Sequence, residues 1–156
     1  MAITPIIMQK IKIAIADDYM IFRDGLKVGF DMDKNLEVVL EAENGEDLLE
    51  QIELIQPDVI LMDLKMPFMD GMEATKHIRK KYKHIKILIV TMYDEARFII
   101  HMMENGANGY LLKSADSKEI RRAIYLVHED GYYFNDIVSK ALLKKLILLS
   151  QSTNLN

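Results

Sequence analysis

Five short apolar runs alternate along the chain with longer segments in which apolar residues recur at helical spacing. The runs are rich in Ile, Val and Leu, and each is four to seven residues long, as is usual for strands. The third and fourth runs barely alternate between apolar and polar residues, which is typical of strands covered on both faces. The pattern predicts five strands, over residues 11–16, 36–42, 58–62, 86–91 and 109–112.

The segments between and after these runs have the period of amphipathic helices. Asn44 is placed to cap the second helix, which Pro57 would end, and Asp116 or Ser117 is placed to cap the fifth, ahead of Gly131. Strictly alternating strands and helices imply parallel strands joined by right-handed crossovers, with helices on both faces. The predicted fold is a flavodoxin-like, doubly wound (βα)5 α/β sandwich around a five-stranded parallel sheet. Its helices are predicted over residues 20–32, 46–56, 72–82, 94–105 and 117–129.

A further helix is predicted at the carboxyl end of the chain, over residues 135–150, followed by a polar, frayed segment at 151–156. Its apolar residues cover more than one stripe, so it would expose apolar surface in a monomer unless it folds back. It lies outside the five strand–helix units. We therefore expect an α/β domain over residues 10–131 and a linker helix with a polar tail over residues 132–156.

Composition and charge narrow the class of protein. The chain has no cysteine, which excludes disulfides, thiol catalysis and thiolate metal sites. Its net charge of −4 is unfavourable for non-specific nucleic-acid binding, and the basic run at residues 79–81 is predicted to be a solvated helix end. No apolar stretch approaches the roughly 20 residues that span a bilayer, and residues 1–9 do not resemble a signal peptide. A soluble, cytoplasmic protein without membrane contact is expected.

Polar side chains stand at the carboxyl ends of four predicted strands. Asp17 and Asp18 follow the first strand, Asp63 follows the third, Thr91 ends the fourth and Lys113 follows the fifth. In open parallel sheets, ligands bind beyond the carboxyl ends of the strands, where the strand order reverses. Three carboxylates, a hydroxyl and an ammonium group are therefore expected to converge on one pocket.

Three neighbouring carboxylates repel one another, and a divalent cation relieves that repulsion. A site with oxygen ligands and no His or Cys favours Mg²⁺ as the cofactor. A carboxylate beside such a metal can act as a nucleophile toward phosphorus. Phosphoryl transfer needs little beyond positioning and charge stabilisation, which a metal and a lysine supply.

With these residues in these positions, the chain resembles the response-regulator receivers of two-component signalling. The resemblance spans about residues 10–130 and is carried by the segments IAIADDY, DVILMDLKMPFMDG, ILIVTMYDE and GANGYLLKS, in that order. It implies that Asp63 is the phospho-acceptor. It also implies that Asp17, Asp18 and Asp63, with the main-chain carbonyl of Lys65, are the metal ligands.

The resemblance also implies roles around the acceptor. Thr91 corresponds to the switch hydroxyl, Lys113 to the phosphate-binding lysine and Tyr110 to the aromatic switch residue. Two positions depart from the common pattern. Ser114 stands where many receivers have a proline, and Met92 stands where a small residue is common. Met92 is therefore expected to crowd the phosphoryl group and slow its hydrolysis.

The function that the resemblance implies is a signalling switch. A sensor histidine kinase would donate the phosphoryl group, and the surface of the fourth helix, fifth strand and fifth helix would change shape. The segment at residues 121–146 resembles the receiver end and linker of regulators with a LuxR-type helix-turn-helix, so DNA binding is expected only through an output domain that this chain does not contain. The chain would catalyse only its own phosphorylation and dephosphorylation, and is not expected to be an enzyme otherwise.

Alternatives remain open at this stage. The chain could be a stand-alone receiver that acts through protein contacts, or a Mg²⁺-dependent phosphohydrolase, although such hydrolases usually carry Asp where Lys65 stands. A homodimer could form through the fourth-helix/fifth-helix face or through the last helix. Each side chain of the predicted site could also have a purely structural role. Asp17 and Asp18 could cap the first helix, and Asp63 could be a turn residue. Thr91 could be an ordinary strand residue, Lys113 a surface lysine and Tyr110 a core residue.

Overall fold

The computed structural model describes residues 9–153, and the expectation about a signal peptide falls almost wholly outside them. All five predicted strands and six predicted helices form; four strands have the predicted ends, and no other end differs from its prediction by more than three residues. The strands are β1 (Ile11–Ala16), β2 (Leu36–Ala42), β3 (Val59–Met62), β4 (Lys86–Thr91) and β5 (Gly109–Leu112). The helices are α1 (Met20–Asp31), α2 (Gly45–Leu54), α3 (Gly71–Lys81), α4 (Ala96–Glu104), α5 (Ser117–Asp130) and α6 (Asp136–Thr153).

Capping side chains set the starts of α2, α3 and α5. The side chain of Asn44 accepts a hydrogen bond from Asp47 N, as predicted, and that of Asp116 accepts from Glu119 N, which decides between the two predicted caps of α5. Asp70 caps α3 in the same way. Such caps satisfy backbone N–H groups that the first helical turn leaves without partners.

The sheet is five-stranded and wholly parallel, in the order β2-β1-β3-β4-β5. The strand order reverses between β1 and β3, so the crevice at their carboxyl ends is the expected ligand position. This confirms the predicted flavodoxin-like, doubly wound architecture. Across the described residues, no helix is long and apolar enough to cross a membrane.

Successive residues of each strand face opposite sides of the sheet, and this alternation creates two cores. On one side, Ile13, Ile15 and Leu61 pack with α1 and α5. On the other side, Ile60 and Met62 pack with α2, α3, α4 and the start of α6. Every residue of β3 is buried, which agrees with its nearly continuous apolar sequence.

Residues 132–135 lead from α5 to α6 along the edge of β5. Tyr133 forms an isolated parallel bridge with Gly109, and the helix that follows packs against α4. The first turns of α6 bury Val138 and Ala141 in the core. The helix continues to Thr153, so residues 151–153 are helical rather than frayed, and residues 154–156 lie outside the described part of the chain.

The prediction of a solvated helix end is wrong for Arg79. Its guanidinium group is partly buried and donates to the carbonyls of Gly106, Tyr82, Lys83 and Ile85 and to the side chain of Asn108. Burial lowers the pKa of Arg79 from its ordinary value. Arg79 therefore joins the end of α3 to the starts of β4 and β5, while its neighbours Lys80 and Lys81 are exposed as predicted.

Candidate functional site

The strand register brings the two principal carboxylates together. Ala16 pairs with Met62 across β1 and β3, so the residues that follow, Asp17 and Asp63, leave the sheet side by side. Both are buried, with 2% and 6% of their surfaces exposed. Asp18 is exposed at the edge of the same crevice. The sequence prediction that these carboxylates converge is therefore correct in this structure.

Lys113 lies between the two buried carboxylates. Its Nζ is 2.7 Å from Asp17 Oδ2 and 2.9 Å from Asp63 Oδ2. The register of β4 and β5 sets its position, because Lys113 N donates to Thr91 O directly after the pairing of Thr91 with Leu112. Lys113 is thus not an ordinary surface lysine, since its side chain is only 12% exposed.

The remaining oxygens of the carboxylates are also held. Asp17 Oδ1 accepts a hydrogen bond from Tyr19 N at 2.8 Å, and Asp63 Oδ1 accepts from Leu64 N at 2.7 Å. No side chain caps α1, whose N-cap residue is Tyr19. Helix capping therefore does not account for Asp17 and Asp18.

Burial shifts the ionisation of this cluster. Desolvation raises the pKa of Asp17, and the nearby charge of Asp63 adds to the rise, while hydrogen bonds from Lys113 and Tyr19 oppose it. Burial acts to lower the pKa of Lys113, but its bonds to Asp17 and Asp63 outweigh this and the pKa is raised. Lys113 is accordingly a cation over the physiological range, and Asp17 has an unfavourable charge that a further cation would stabilise.

The donor set fits a hard divalent cation. One carboxylate oxygen from each of Asp17, Asp18 and Asp63 lies within 4.8 Å of the others. Asp18 and Asp63 line a cleft of about 400 Å³ together with Lys65, Met92 and Lys113, and Asp17 lies buried beside it. Carboxylate oxygens at an open cleft suit Mg²⁺, which keeps several of its waters and takes few protein ligands.

Two aromatic rings lie beside the ammonium group of Lys113, and neither was predicted from the sequence to belong to the site. The rings of Phe22 and Tyr19 lie 4.6 and 5.0 Å from Lys113 Nζ, on the side of α1. An ammonium group over aromatic faces is stabilised electrostatically and held in place. The sequence offers one indication that an aromatic ring lies near the site, because Tyr19 directly follows Asp17 and Asp18.

Arg23 was also missed. It is 6% exposed, and its guanidinium group donates to the main-chain carbonyl of Asp17 and to Glu41 Oε1. It thereby fixes the turn that presents the acidic pair. A charged residue in line with Leu26 and Phe30, on the buried stripe of α1, was the signal that could have identified it.

Thr91 and Tyr110 occupy adjoining strands near the cleft. The Thr91 hydroxyl is buried and has no hydrogen-bond partner among the described residues. Tyr110 is fully buried, and its hydroxyl donates to the main-chain carbonyl of Tyr93. Burial is the main cause that raises the pKa of Tyr110. In this structure the aromatic ring is therefore already turned inward.

The loop after the acceptor approaches it closely. Gly71 N donates to Leu64 O, and a Cβ at Gly71 would lie 2.0 Å from Asp63 O. The absence of a side chain is therefore required for α3 to begin where it does. Lys65 is exposed, with its Nζ 5.8 Å from the rings of Tyr93 and Phe98, and Met92 is 73% exposed at the mouth of the cleft.

Comparison with known proteins shows to which protein family the chain belongs. Residues 13–125 match the family model described as the response regulator receiver domain. The chain therefore belongs to the response-regulator receiver family.

Individual relatives agree with this assignment. The chain is 38% identical over 136 residues to the transcriptional regulatory protein DegU of Brevibacillus brevis, and covers 58% of that protein with 87% of its own length. A two-component response regulator of the LuxR family from Aurantimonas sp. SI85-9A1 superposes with a TM-score of 0.81 at 29% identity, over 89% of this chain and 99% of that one. The signal receiver domain of NarL from Mycobacterium tuberculosis superposes with a TM-score of 0.73 at 31% identity, over 78% of this chain and 98% of that one. The chain thus spans little more than half the length of DegU.

Proposed function

We propose that this protein accepts a phosphoryl group on Asp63 from the phosphohistidine of a sensor histidine kinase, in the presence of Mg²⁺. The observation that carries the proposal is the position of Lys113, whose ammonium group bridges Asp63 and Asp17 at the bottom of an open acidic cleft. A carboxylate oxygen of Asp63 attacks phosphorus, and the bond from phosphorus to the kinase nitrogen breaks. The cytoplasm is the location that this role implies.

The residues around Asp63 supply charge and position for this step. Asp17, Asp18 and Asp63 would hold the metal, with the carbonyl of Lys65 as a further ligand. A bound magnesium ion would neutralise part of the charge on the phosphoryl oxygens. Lys113 would leave the carboxylate oxygen of Asp63 and pair with a phosphoryl oxygen instead.

Thr91 and Tyr110 are the proposed switch. The buried Thr91 hydroxyl has no partner among residues 9–153 and is available to donate to a phosphoryl oxygen. Movement of Thr91 would change the space beside Tyr110, and two states that differ by a few kcal/mol suffice for a switch. The affected surface is formed by α4, β5 and α5, and α6 lies against the α4 part of it. Tyr110 should therefore change its rotamer distribution when a phosphoryl mimic binds, and a single unchanged rotamer would contradict this switch.

Transcription regulation is the proposed output. It is supported by the relatives, such as DegU, which is named as a transcriptional regulatory protein and is longer than this chain. DNA would be bound by a carboxyl-terminal domain of the kind that LuxR-type regulators carry. A reading frame that continues past residue 156 into such a domain would support this output, and a stop codon there would favour a stand-alone receiver that acts on proteins, with homodimerisation as one such contact.

Intact mass spectrometry tests the phosphorylation. The wild-type chain and Asp63→Asn are incubated with acetyl phosphate, with and without Mg²⁺. We expect a gain of one phosphoryl group that requires Mg²⁺ and is absent from the variant. No gain by a folded wild-type protein that binds Mg²⁺ would contradict the proposal.

A further inference from the structure

The three carboxylates of the acidic cleft are not held in the same way. Asp17 and Asp63 share the ammonium group of Lys113, and each also accepts a hydrogen bond from a backbone N–H group. Asp18 is exposed, and among residues 9–153 its carboxylate forms no ion pair and accepts no hydrogen bond. Its position therefore depends on the backbone of the turn between β1 and α1, at residues 17–19.

Arg23 binds the peptide group that leads to Asp18. Its Nη1 donates to the main-chain carbonyl of Asp17, which belongs to the peptide unit between Asp17 and Asp18. Because a peptide unit is planar, a contact that fixes its carbonyl also fixes the direction in which the chain reaches the next Cα atom. Asp17 is only 2% exposed, so this carbonyl has little access to water as a replacement donor.

The rest of the guanidinium group is anchored at the carboxyl end of β2. Arg23 Nε donates to Glu41 Oε1 at 3.1 Å, and Nη2 lies 3.9 Å from Glu43 Oε1. A planar guanidinium group holds several acceptors in one fixed geometry, which the single ammonium group of a lysine does not reproduce. Arg23 is thus a rigid bridge from β2 to the turn that follows β1.

We propose that Arg23 is a positioning residue for Mg²⁺, and that it keeps Asp18 within reach of the ion by fixing the peptide group between Asp17 and Asp18. This role rests on the proposed function, because it concerns the metal ligands. One carboxylate oxygen of Asp18 lies within 4.8 Å of oxygens from Asp17 and Asp63, and Arg23 supplies the contact that orients the backbone beneath it. Arg23 is not a ligand itself and acts only through the backbone.

The charge of Arg23 and its position predict opposite effects on metal binding. A cation near the cleft repels Mg²⁺, so on charge alone its removal would tighten binding. Glu41 and Glu43 offset much of that charge, since both carboxylates lie within 4 Å of the guanidinium group. Loss of an outer contact that orients metal ligands weakens metal binding by about tenfold to a hundredfold. We therefore expect the effect of position to dominate.

A titration with MgCl₂ measures the dissociation constant for Mg²⁺, followed by the amide NMR signals of the 156-residue chain, which also show that each variant is folded. Arg23→Met should raise this constant by about tenfold. Arg23→Lys should raise it too, because the charge is kept but the bridge is lost, and this milder variant serves if Arg23→Met does not fold. The matched control is Lys27→Met. Lys27 also pairs with Glu41, at 2.9 Å, but does not contact the turn, so its removal should leave the constant unchanged.

A double-mutant cycle tests the route through Asp18. Asp18→Asn should weaken Mg²⁺ binding by itself, because it replaces one carboxylate of the donor set. If Arg23 acts by placing that carboxylate, Arg23→Met should cause little further loss in the Asp18→Asn background. A general loosening of the cleft would instead weaken binding by the same factor in both backgrounds, and that result would overturn the proposal.

Unchanged or tighter Mg²⁺ binding by a folded Arg23→Met variant would also overturn this role of Arg23. A wild-type chain that does not bind Mg²⁺ would contradict the metal site itself, and the role of Arg23 would fail with it. The titration contains no phosphoryl donor. Failure of the positioning role in a chain that binds Mg²⁺ is therefore distinguishable from failure of the proposed phosphoryl transfer.

Discussion

Replacing Lys113 by Met should destabilise the protein strongly. Among residues 9–153, Lys113 is the one cation that pairs with Asp17 and Asp63, at 2.7 and 2.9 Å, and all three side chains are at least 88% buried. The substitution keeps much of the side-chain volume but leaves two buried carboxylates without their counterion. We expect a loss of about 3 kcal/mol in the free energy of unfolding, at the lower end of the range for a broken buried ion pair, because the cleft opens to solvent at Asp18.

The pH dependence of this loss follows from the direction of the pKa shifts. The pKa of Lys113 is raised in the folded state, so its stabilising contribution is complete below the ordinary value of 10.5 and disappears as the pH rises through the folded value. The pKa of Asp17 is also raised, so folding is favoured when Asp17 is protonated, and this contribution is lost as the pH rises through its folded value. The destabilisation by Lys113→Met should therefore shrink as the pH falls through the folded-state pKa of Asp17 and the carboxylate takes up a proton.

Urea unfolding at neutral and at mildly acidic pH measures both effects. Lys81→Met is the control, since Lys81 pairs with Glu53 at 3.3 Å on the exposed surface and should contribute little that is measurable. The reasoning would be refuted if Lys113→Met were no less stable than Lys81→Met at neutral pH.

Three further substitutions test other parts of the account. Gly71→Ala places a Cβ 2.0 Å from Asp63 O and should lower the free energy of unfolding by about 1–3 kcal/mol in urea titrations; unchanged stability would contradict the close approach. Arg79→Met leaves several carbonyls without a donor and should lower the free energy of unfolding by about 2 kcal/mol. Lys80→Met is the control and should leave the stability unchanged. Equal urea midpoints for the two variants would refute the structural role of Arg79. Met92→Ala should accelerate loss of the phosphoryl group in a timed mass assay, and an unchanged rate would show that Met92 does not shield it.

The local features of the fold were predictable because each is encoded over a few adjacent residues. The apolar runs gave the strands, and Asn44 gave the start of α2. The convergence of Asp17 and Asp63 was also predictable, since parallel strands place their carboxyl ends at one edge of the sheet. Side-chain chemistry at strand ends thus predicted which of these side chains lie together.

Features that depend on contacts between distant segments were not predictable in the same way. Arg79 was assigned to solvent because its neighbours in sequence are lysines, but its partners Gly106 and Asn108 come from another part of the chain. Arg23 and Phe22 support the site through contacts that only the packing of α1 creates. Periodicity identifies which residues are buried, and it does not identify the polar partners that they meet.

The identity of the acceptor is the central claim, and chemical trapping tests it most directly. Borohydride reduces an aspartyl phosphate to homoserine, so peptide mass analysis after phosphorylation with Mg²⁺ locates the modified position. Asp17→Asn is the matched control, because it removes a neighbouring carboxylate and keeps Asp63. We predict homoserine at position 63 of the wild-type chain, and less of it at the same position in the control. Homoserine at position 17 or 18, or its absence from a protein that has gained phosphoryl mass, would contradict the account.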